Sequence, residues 1–348
     1  MHIPDGYLSP QTCGVLGAAS AVTAACSSYK TAKTIKAKYI PLLSIGAAFS
    51  FIIMMFNVPI PDGTTAHAVG GALLAVLLGP WAAFISVSIA LVIQALFFGD
   101  GGILALGANI FNMAFILPFS AYIVYRVVAG NCAPGSKRRW IAAGIAGFVG
   151  INLAALMVAV ELGIQPVLFH TADGTPLYSP YSLNIALSAM SFSHLLVAGP
   201  VEGAISGLVV AYLQKSNPGL LSLRDTETGG GRFPLRKLVL GLGALIILSP
   251  LGLLAKGTAW GEWSTAELQA KAGFIPAGLE RLSSTWKPLL LSDYGSSAFG
   301  QTFWLQAMGY ILSALAGLIL ILLIVYFAGK FFAKGAKTRE TADLASRK

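Results

Sequence analysis

The sequence predicts an all-α polytopic membrane protein: a seven-helix bundle with a short third span, then a two-helix module, with about nine spans and the N-terminus outside. Three observations carry this. Of 348 residues, 56% are hydrophobic and 11% charged, whereas a soluble domain carries roughly 25% charged residues. Several apolar runs exceed the ~18 residues that a bilayer span needs. The basic residues sit between those runs: residues 30–38, 126–139, 215–237 and 330–348 hold 19 of the 23 Lys and Arg. Positive-inside sorting accounts for the net charge of +9, so lipid is the implied partner and nucleic acid is not.

The chain opens Met1-His2-Ile3-Pro4-Asp5-Gly6-Tyr7-Leu8-Ser9-Pro10. With no Lys or Arg ahead of the first apolar run, it lacks the basic region of a secretory signal. A residue as bulky as His2 disfavours removal of the initiator, so Met1 is expected to keep its free amine. That amine, the deprotonated amide nitrogen of His2 and the His2 imidazole can close two fused chelate rings around one ion. Three nitrogens in a plane leave one equatorial place open, which suits Ni(II) or Cu(II) and works against tetrahedral Zn(II).

The first span covers residues 11–27, with Gly14, Ala18, Ala21 and Ala25 forming a small-residue face. Such a face lets a second helix approach closely in lipid; it serves either this bundle or a partner subunit. The second span covers residues 40–56. A polar, proline-marked loop follows, with Thr64 near its end and His67 closing it.

Residues 68–98 are apolar and interrupted at Pro80. Placing the basic loops 30–38 and 126–139 on one side requires an even number of spans between them, hence two segments here. The first, residues 68–79, reaches only ~18 Å against a core of ~30 Å. The loop ending in His67 must therefore dip into the membrane, where non-helical backbone is tolerated if it lines an enclosed site. The next span, residues 103–125, carries Asn109 and Asn112 on one helix face; they either bond neighbouring helices or support the site.

The sixth span covers residues 140–160, and an outer loop at 161–180 begins with Glu161 and contains His170, read as a surface histidine. The seventh covers residues 181–213 and carries His194 and Glu202 two turns apart. Ionisable groups inside a membrane are functional candidates; packing, gating and metal contact all stay open for this pair. Residues 1–214 thus form one module. Residues 215–237 are a polar, glycine-rich cytoplasmic linker. Residues 238–328 form a two-span module with an outer loop at 255–301, and residues 329–348 a basic cytoplasmic tail. Acidic residues assigned to the outer side, among them Asp5, Asp62, Asp100, Glu262 and Asp293, would draw cations toward it.

Several activities lack their motif. Gly130 to Lys137 only approaches a phosphate-binding loop, with Ser136 and Lys137 in the wrong order, and no H-E-x-x-H occurs. Cys13, Cys26 and Cys132 are far apart, so neither a disulfide framework nor a zinc knuckle follows. No enzymatic motif and no bound organic cofactor are expected.

Residues 1–6, the His67 loop with Gly70-Gly71-Ala72-Leu73-Leu74 and Gly79-Pro80-Trp81, and Gly107-Ala108-Asn109-Ile110-Phe111-Asn112-Met113 resemble the metal-binding S component of energy-coupling-factor (ECF) cobalt and nickel transporters. The resemblance covers about residues 1–213. It implies a metal held by the Met1 amine, the His2 backbone nitrogen and imidazole, and His67, which would fill the open place of the chelate. Asp5, Thr64, Asn109, Asn112, His194 and Glu202 are then candidates to support or gate the site. The two-span module resembles the small accessory component, here fused; its Pro276-Ala277-Gly278-Leu279-Glu280 has Ala277 where the family usually has Asp.

The implied partners are a transmembrane coupling subunit and two cytosolic ATP-binding subunits, with Gly14, Ala18, Ala21 and Ala25 as the docking face. The expected function is substrate capture for an ATP-driven importer in the cytoplasmic membrane, Ni(II) ahead of Co(II). A cobalt importer feeding cobalamin synthesis is the alternative within that class. A membrane metal sensor or a structural module is the alternative outside it.

Overall fold

The computed structural model describes residues 1–34, 40–61, 63–221, 235–295, 299–300 and 302–346; Asp62 and most of the expected linker lie outside them. α1 (Pro10–Thr34) and α2 (Ile40–Met54) are followed by a hairpin of β1 (Val58–Ile60) and β2 (Thr64–Ala66), with Val58 opposite Ala66 and Ile60 opposite Thr64. The loop before His67 is therefore a paired ribbon. α3 (Gly71–Leu78) and α4 (Pro80–Phe98) are broken at Gly79, whose φ of 86° turns the chain just ahead of a proline that starts the next helix. α5 (Leu106–Ala129), α6 (Lys137–Leu168) and α7 (Leu183–Ser216) complete the first module. The second consists of α8 (Leu235–Leu254), two short loop helices α9 (Thr265–Ala272) and α10 (Ala277–Ser283), and α11 (Phe303–Ser346).

Among the described residues, six helices are long and apolar enough to cross a membrane: α4, α5, α6, α7, α8 and residues Phe303–Phe327 of α11. α2 is apolar but shorter, and α1, though 25 residues long, is not among the six. Its alanine, serine and threonine content gives it length without strong hydropathy.

α6 packs against both α5 and α7. A Cβ on Gly203 would stand 2.8 Å from the Gly144 carbonyl, so the α6–α7 contact is backbone on backbone. One expectation is corrected here. Glu161 does not open an outer loop; it lies in α6, 4% exposed, and accepts a hydrogen bond of 2.7 Å from Asn112. In the sequence the apolar run stops at this first carboxylate, but a buried amide partner lets the helix carry it inward. His170 is exposed.

Three spans contain π-helical turns, at Gln94–Phe98, Ile110–Ile116 and His194–Ala198. Such turns re-aim side chains locally. Each lies beside a buried polar group: Gln94, Asn112 and His194.

Candidate metal site

Residues 1–9 are folded into the protein as part of its core. Ile3, Tyr7 and Leu8 are each 1% exposed, and the side chain of each buried aliphatic or aromatic residue contributes ~1.5–3 kcal/mol. Pro4 and Gly6 turn the chain, with Gly6 at φ 94° and the Tyr7 amide bonding back to Pro4. The Tyr7 carbonyl accepts from the Ser179 amide at 3.0 Å, and the Ser9 amide donates to Gln165 at 3.0 Å.

The segment is pinned against the turn between α4 and α5. The Asp5 carboxylate accepts the amides of Ile103, Leu104 and Ala105 at 3.0, 2.8 and 3.2 Å, and the Gly102 amide donates to the Ile3 carbonyl at 2.9 Å. Burial pushes the Asp5 carboxyl up from its ordinary value, and those three amides pull it back. Asn109 bonds Ile3 through both ends of its amide: its Oδ1 accepts the Ile3 amide at 2.8 Å and its Nδ2 donates to the Ile3 carbonyl at 3.1 Å. The two asparagines have different partners. Asn109 grips the N-terminal segment, while Asn112 bonds Glu161.

His2 is 3% exposed. Gln94 Nε2 donates to the Tyr294 hydroxyl at 2.8 Å and lies 3.4 Å from Asp100 Oδ2, so Gln94 Oε1 is left to accept from His2 Nε2 at 3.2 Å. That assignment places the hydrogen of the neutral ring on Nε2 and a lone pair on Nδ1. The Nδ1 atom stands 3.2 Å from Asp100 Oδ1. Burial and the charge of the terminal amine hold the His2 imidazole down at about 4, so the ring is neutral near pH 7 and the Asp100 contact is no ion pair.

His67 is 6% exposed, and its ring centroid lies 5.0 Å from that of His2 at 34°. Its Nδ1 bonds the Ala68 carbonyl at 3.0 Å, leaving Nε2 buried with no hydrogen-bond partner. Burial, then the charge of the terminal amine, keeps this ring well below its ordinary value. Two neutral imidazoles with available lone pairs, Nδ1 and Nε2, therefore lie side by side and near enough to the terminal amine for its charge to act on both. Neutral imidazole is the state that binds a metal.

Glu202 is wholly buried and holds the segment just after His67: its oxygens accept the amides of Val69, Gly70 and Ala72 at 2.8, 2.9 and 3.2 Å. It thus caps the first turn of α3, where unpaired amides favour a negative charge. His194 Nδ1 bonds the Met190 carbonyl at 2.9 Å inside its own helix, and the Thr64 hydroxyl donates to the Thr258 carbonyl at 3.0 Å. Neither bonds the imidazoles. Gly14, Ala18, Ala21 and Ala25 are all exposed on α1.

Sequence reasoning did not single out Gln94, Asp100, Glu262 and Tyr294 as part of the site. Glu262 Oε1 accepts from the Met1 ammonium at 2.7 Å, and the Tyr294 hydroxyl donates to Asp100. Gln94 is the readable signal, an amide alone inside an apolar run. The other three come from distant loops. The loop between α8 and α11 closes over the N-terminal segment through the Tyr7 hydroxyl, which donates to the Trp263 carbonyl at 2.9 Å, and joins the chain between α6 and α7 through the Leu279 amide, which donates to the Leu177 carbonyl at 3.1 Å.

The family profile of the CbiM cobalt uptake substrate-specific transmembrane region matches residues 2–220, and that of the PDGLE domain matches residues 236–334. The fused nickel transport protein NikMN of Rhodobacter capsulatus is 48% identical over 336 residues, covering 92% of this chain and 95% of its own length. The probable fused nickel transport protein LarMN of Lactiplantibacillus plantarum is 46% identical over 335 residues, covering 93% and 96%. A solved truncated transition metal transporter is 59% identical with a TM-score of 0.58, covering 62% of this chain and 99% of its own.

Proposed function

This chain belongs to the CbiM family, the S components of ECF transporters, and on that premise we propose that it captures a divalent transition metal for uptake, Ni(II) ahead of Co(II). Relatives named as nickel transport proteins align over nearly the whole chain, accessory module included. The observation that carries the reading to particular residues is the pair of neutral, buried imidazoles set 5.0 Å apart beside the terminal amine.

The Met1 amine, the His2 amide nitrogen and His2 Nδ1 supply three nitrogens, and His67 Nε2 the fourth. Such a set favours a square-planar ion, Ni(II) above Co(II). The supporting residues act by position. Gln94 fixes which His2 nitrogen carries the hydrogen; the Ala68 carbonyl does the same for His67; Asn109 and Asp5 hold the backbone that must become part of the chelate. A carbonyl or amide partner on the far nitrogen of a ligating imidazole fixes its orientation and raises its basicity.

The N-terminus and the 255–301 loop face outward in this reading, and residues 1–214 and 238–328 work as capture and accessory modules. A transmembrane coupling subunit docks on the Gly14, Ala18, Ala21 and Ala25 face, and two cytosolic ATP-binding subunits drive release inward across the cytoplasmic membrane. The exposure of that face supports the docking assignment.

A single residue fused ahead of Met1 tests the ligand set. It replaces the amine by an amide, so metal uptake should fall to background while membrane expression is unchanged. Full uptake by the extended protein refutes the terminal chelate. A sensor without transport would bind the metal yet leave cellular nickel unchanged.

A further inference from the structure

We infer that this protein has a second, oxygen-rich metal site, formed by His2, Asp100 and Glu262, where the ion is loaded before it passes to the nitrogen set. The inference rests on the capture reading above and adds a step ahead of it.

The three side chains offer ligand atoms that all lie within 4.8 Å of one another. At metal–ligand distances of ~2.1 Å, two neighbouring ligands on an octahedral ion stand about 3.0 Å apart and two opposite ones about 4.2 Å. The 3.2 Å between His2 Nδ1 and Asp100 Oδ1 is already close to the first spacing. The tautomer set by Gln94 leaves a lone pair on Nδ1, so Nδ1 and Asp100 Oδ1 can donate to one cation. Neighbouring groups hold these residues in place: Gln94 and Tyr294 contact Asp100, Gln94 contacts His2, and the Met1 ammonium contacts Glu262 Oε1.

Two further observations give the cluster a direction. Glu262 lines a cavity of 640 Å³ between the N-terminal segment and the accessory loop, whose wall also carries the carboxylates of Asp5, Glu267 and Asp293. An ion with six waters needs roughly 200 Å³ at ~30 Å³ per water, so it fits there still hydrated. On the other side, the buried His67 Nε2 has no hydrogen-bond partner, and its ring is 5.0 Å from that of His2. Glu262 thus borders the cavity, His2 belongs to both donor sets, and His67 belongs to the second. An ion can move from oxygen to nitrogen ligands without leaving His2. Carboxylate and water ligands hold a transition-metal ion less tightly than four nitrogens do, which is what a transient station requires. Because Glu262 and Asp100 come from different modules, the accessory loop supplies a ligand as well as a cover.

The test is stopped-flow mixing of the purified full chain with Ni(II), followed through the visible absorption of the square-planar complex. Asp100→Asn and Glu262→Gln should each slow its formation at least tenfold. The final spectrum, which reports the nitrogen set, should be unaltered. Asp100→Asn leaves the Met1–Glu262 contact intact, and Glu262→Asp, with its shorter reach, should give an intermediate rate even where Glu262→Gln fails to insert. Unchanged formation rates in Asp100→Asn and Glu262→Asp overturn the loading site. So does faster dissociation confined to the Glu262 variants, which would make Glu262 only a tether for the amine. His2→Ala separates this inference from the one beneath it: if it keeps parental Ni(II) affinity, the capture reading itself falls; if it loses affinity while Asp100→Asn loads at the parental rate, only the loading site falls.

Discussion

Asn109 grips Ile3 by both backbone groups, taking its amide hydrogen at 2.8 Å and giving a hydrogen to its carbonyl at 3.1 Å. One side chain thereby sets the position of the residue that follows His2, and with it the plane in which the amide nitrogens lie. Asn109→Ala leaves a buried N–H and a buried C=O without this partner. At about 2 kcal/mol this corresponds to roughly a 30-fold fall in Ni(II) affinity, to be read by isothermal titration of the purified chain. Asn109→Asp keeps the acceptor and loses the donor, so it should lie between.

Gly102 is the point where the turn after α4 touches the N-terminal segment. A Cβ there would overlap both Asp5 Oδ1 and the Asp5 amide nitrogen. Gly102→Ala therefore has to push residues 1–5 away, and nickel uptake should drop at least tenfold with normal membrane insertion. Gly241→Ala, where nothing lies within 4 Å of the added carbon, is the matched control and should transport as the parent does.

Much of this architecture can be read without coordinates, and the reason is local. Apolar runs, the helix break at Gly79-Pro80 and the clustering of basic residues are properties of short stretches of chain, and hydropathy reports them directly. Met1 and His2 are adjacent, so their chelating capacity is also local. Contacts such as Met1 with Glu262, His2 with Gln94, or Asp100 with Tyr294 are different. They join positions 261, 92 and 194 residues apart, and only the way the loops fold over the bundle creates them. Glu161 shows the same limit in reverse: a lone carboxylate at the end of an apolar run looks like the start of a loop until Asn112 is seen beside it.

Gln94→Leu is expected to disturb the site without touching a proposed ligand. It removes the acceptor that holds the hydrogen on His2 Nε2 and the donor to the Tyr294 hydroxyl. Loss of such a partner typically costs 10–100-fold in metal affinity. Competition with a chelator of known affinity should show a fall in that range, and Gln94→Glu, which keeps an acceptor for His2, should lose less.

Glu202 and His67 should behave as one unit. Glu202→Gln puts an NH2 group among the amides of Val69, Gly70 and Ala72, so the segment after His67 should shift and Ni(II) binding should weaken about tenfold or more. In the proposed ligand set, His67→Ala removes the fourth nitrogen and spares the planar three. If Glu202 acts by placing His67, the double variant should bind no more weakly than His67→Ala alone, since residues in one chain of contacts are not additive. Fully additive losses in the titration would mean that Glu202 serves something else.

The Met1–Glu262 contact also sets a timetable. A ribosome adding about 5–20 residues per second takes tens of seconds to travel from the first of these residues to the second. Throughout that interval the amine has no accessory loop above it, and the half-built protein can be reached by enzymes that deformylate, trim or acylate a new chain. Closure comes last, from sequence at the far end of the molecule, and long-separated contacts of this kind form slowly. The chemical state of the terminus is thus decided during synthesis, and the loop that arrives afterwards seals in whatever those enzymes have left.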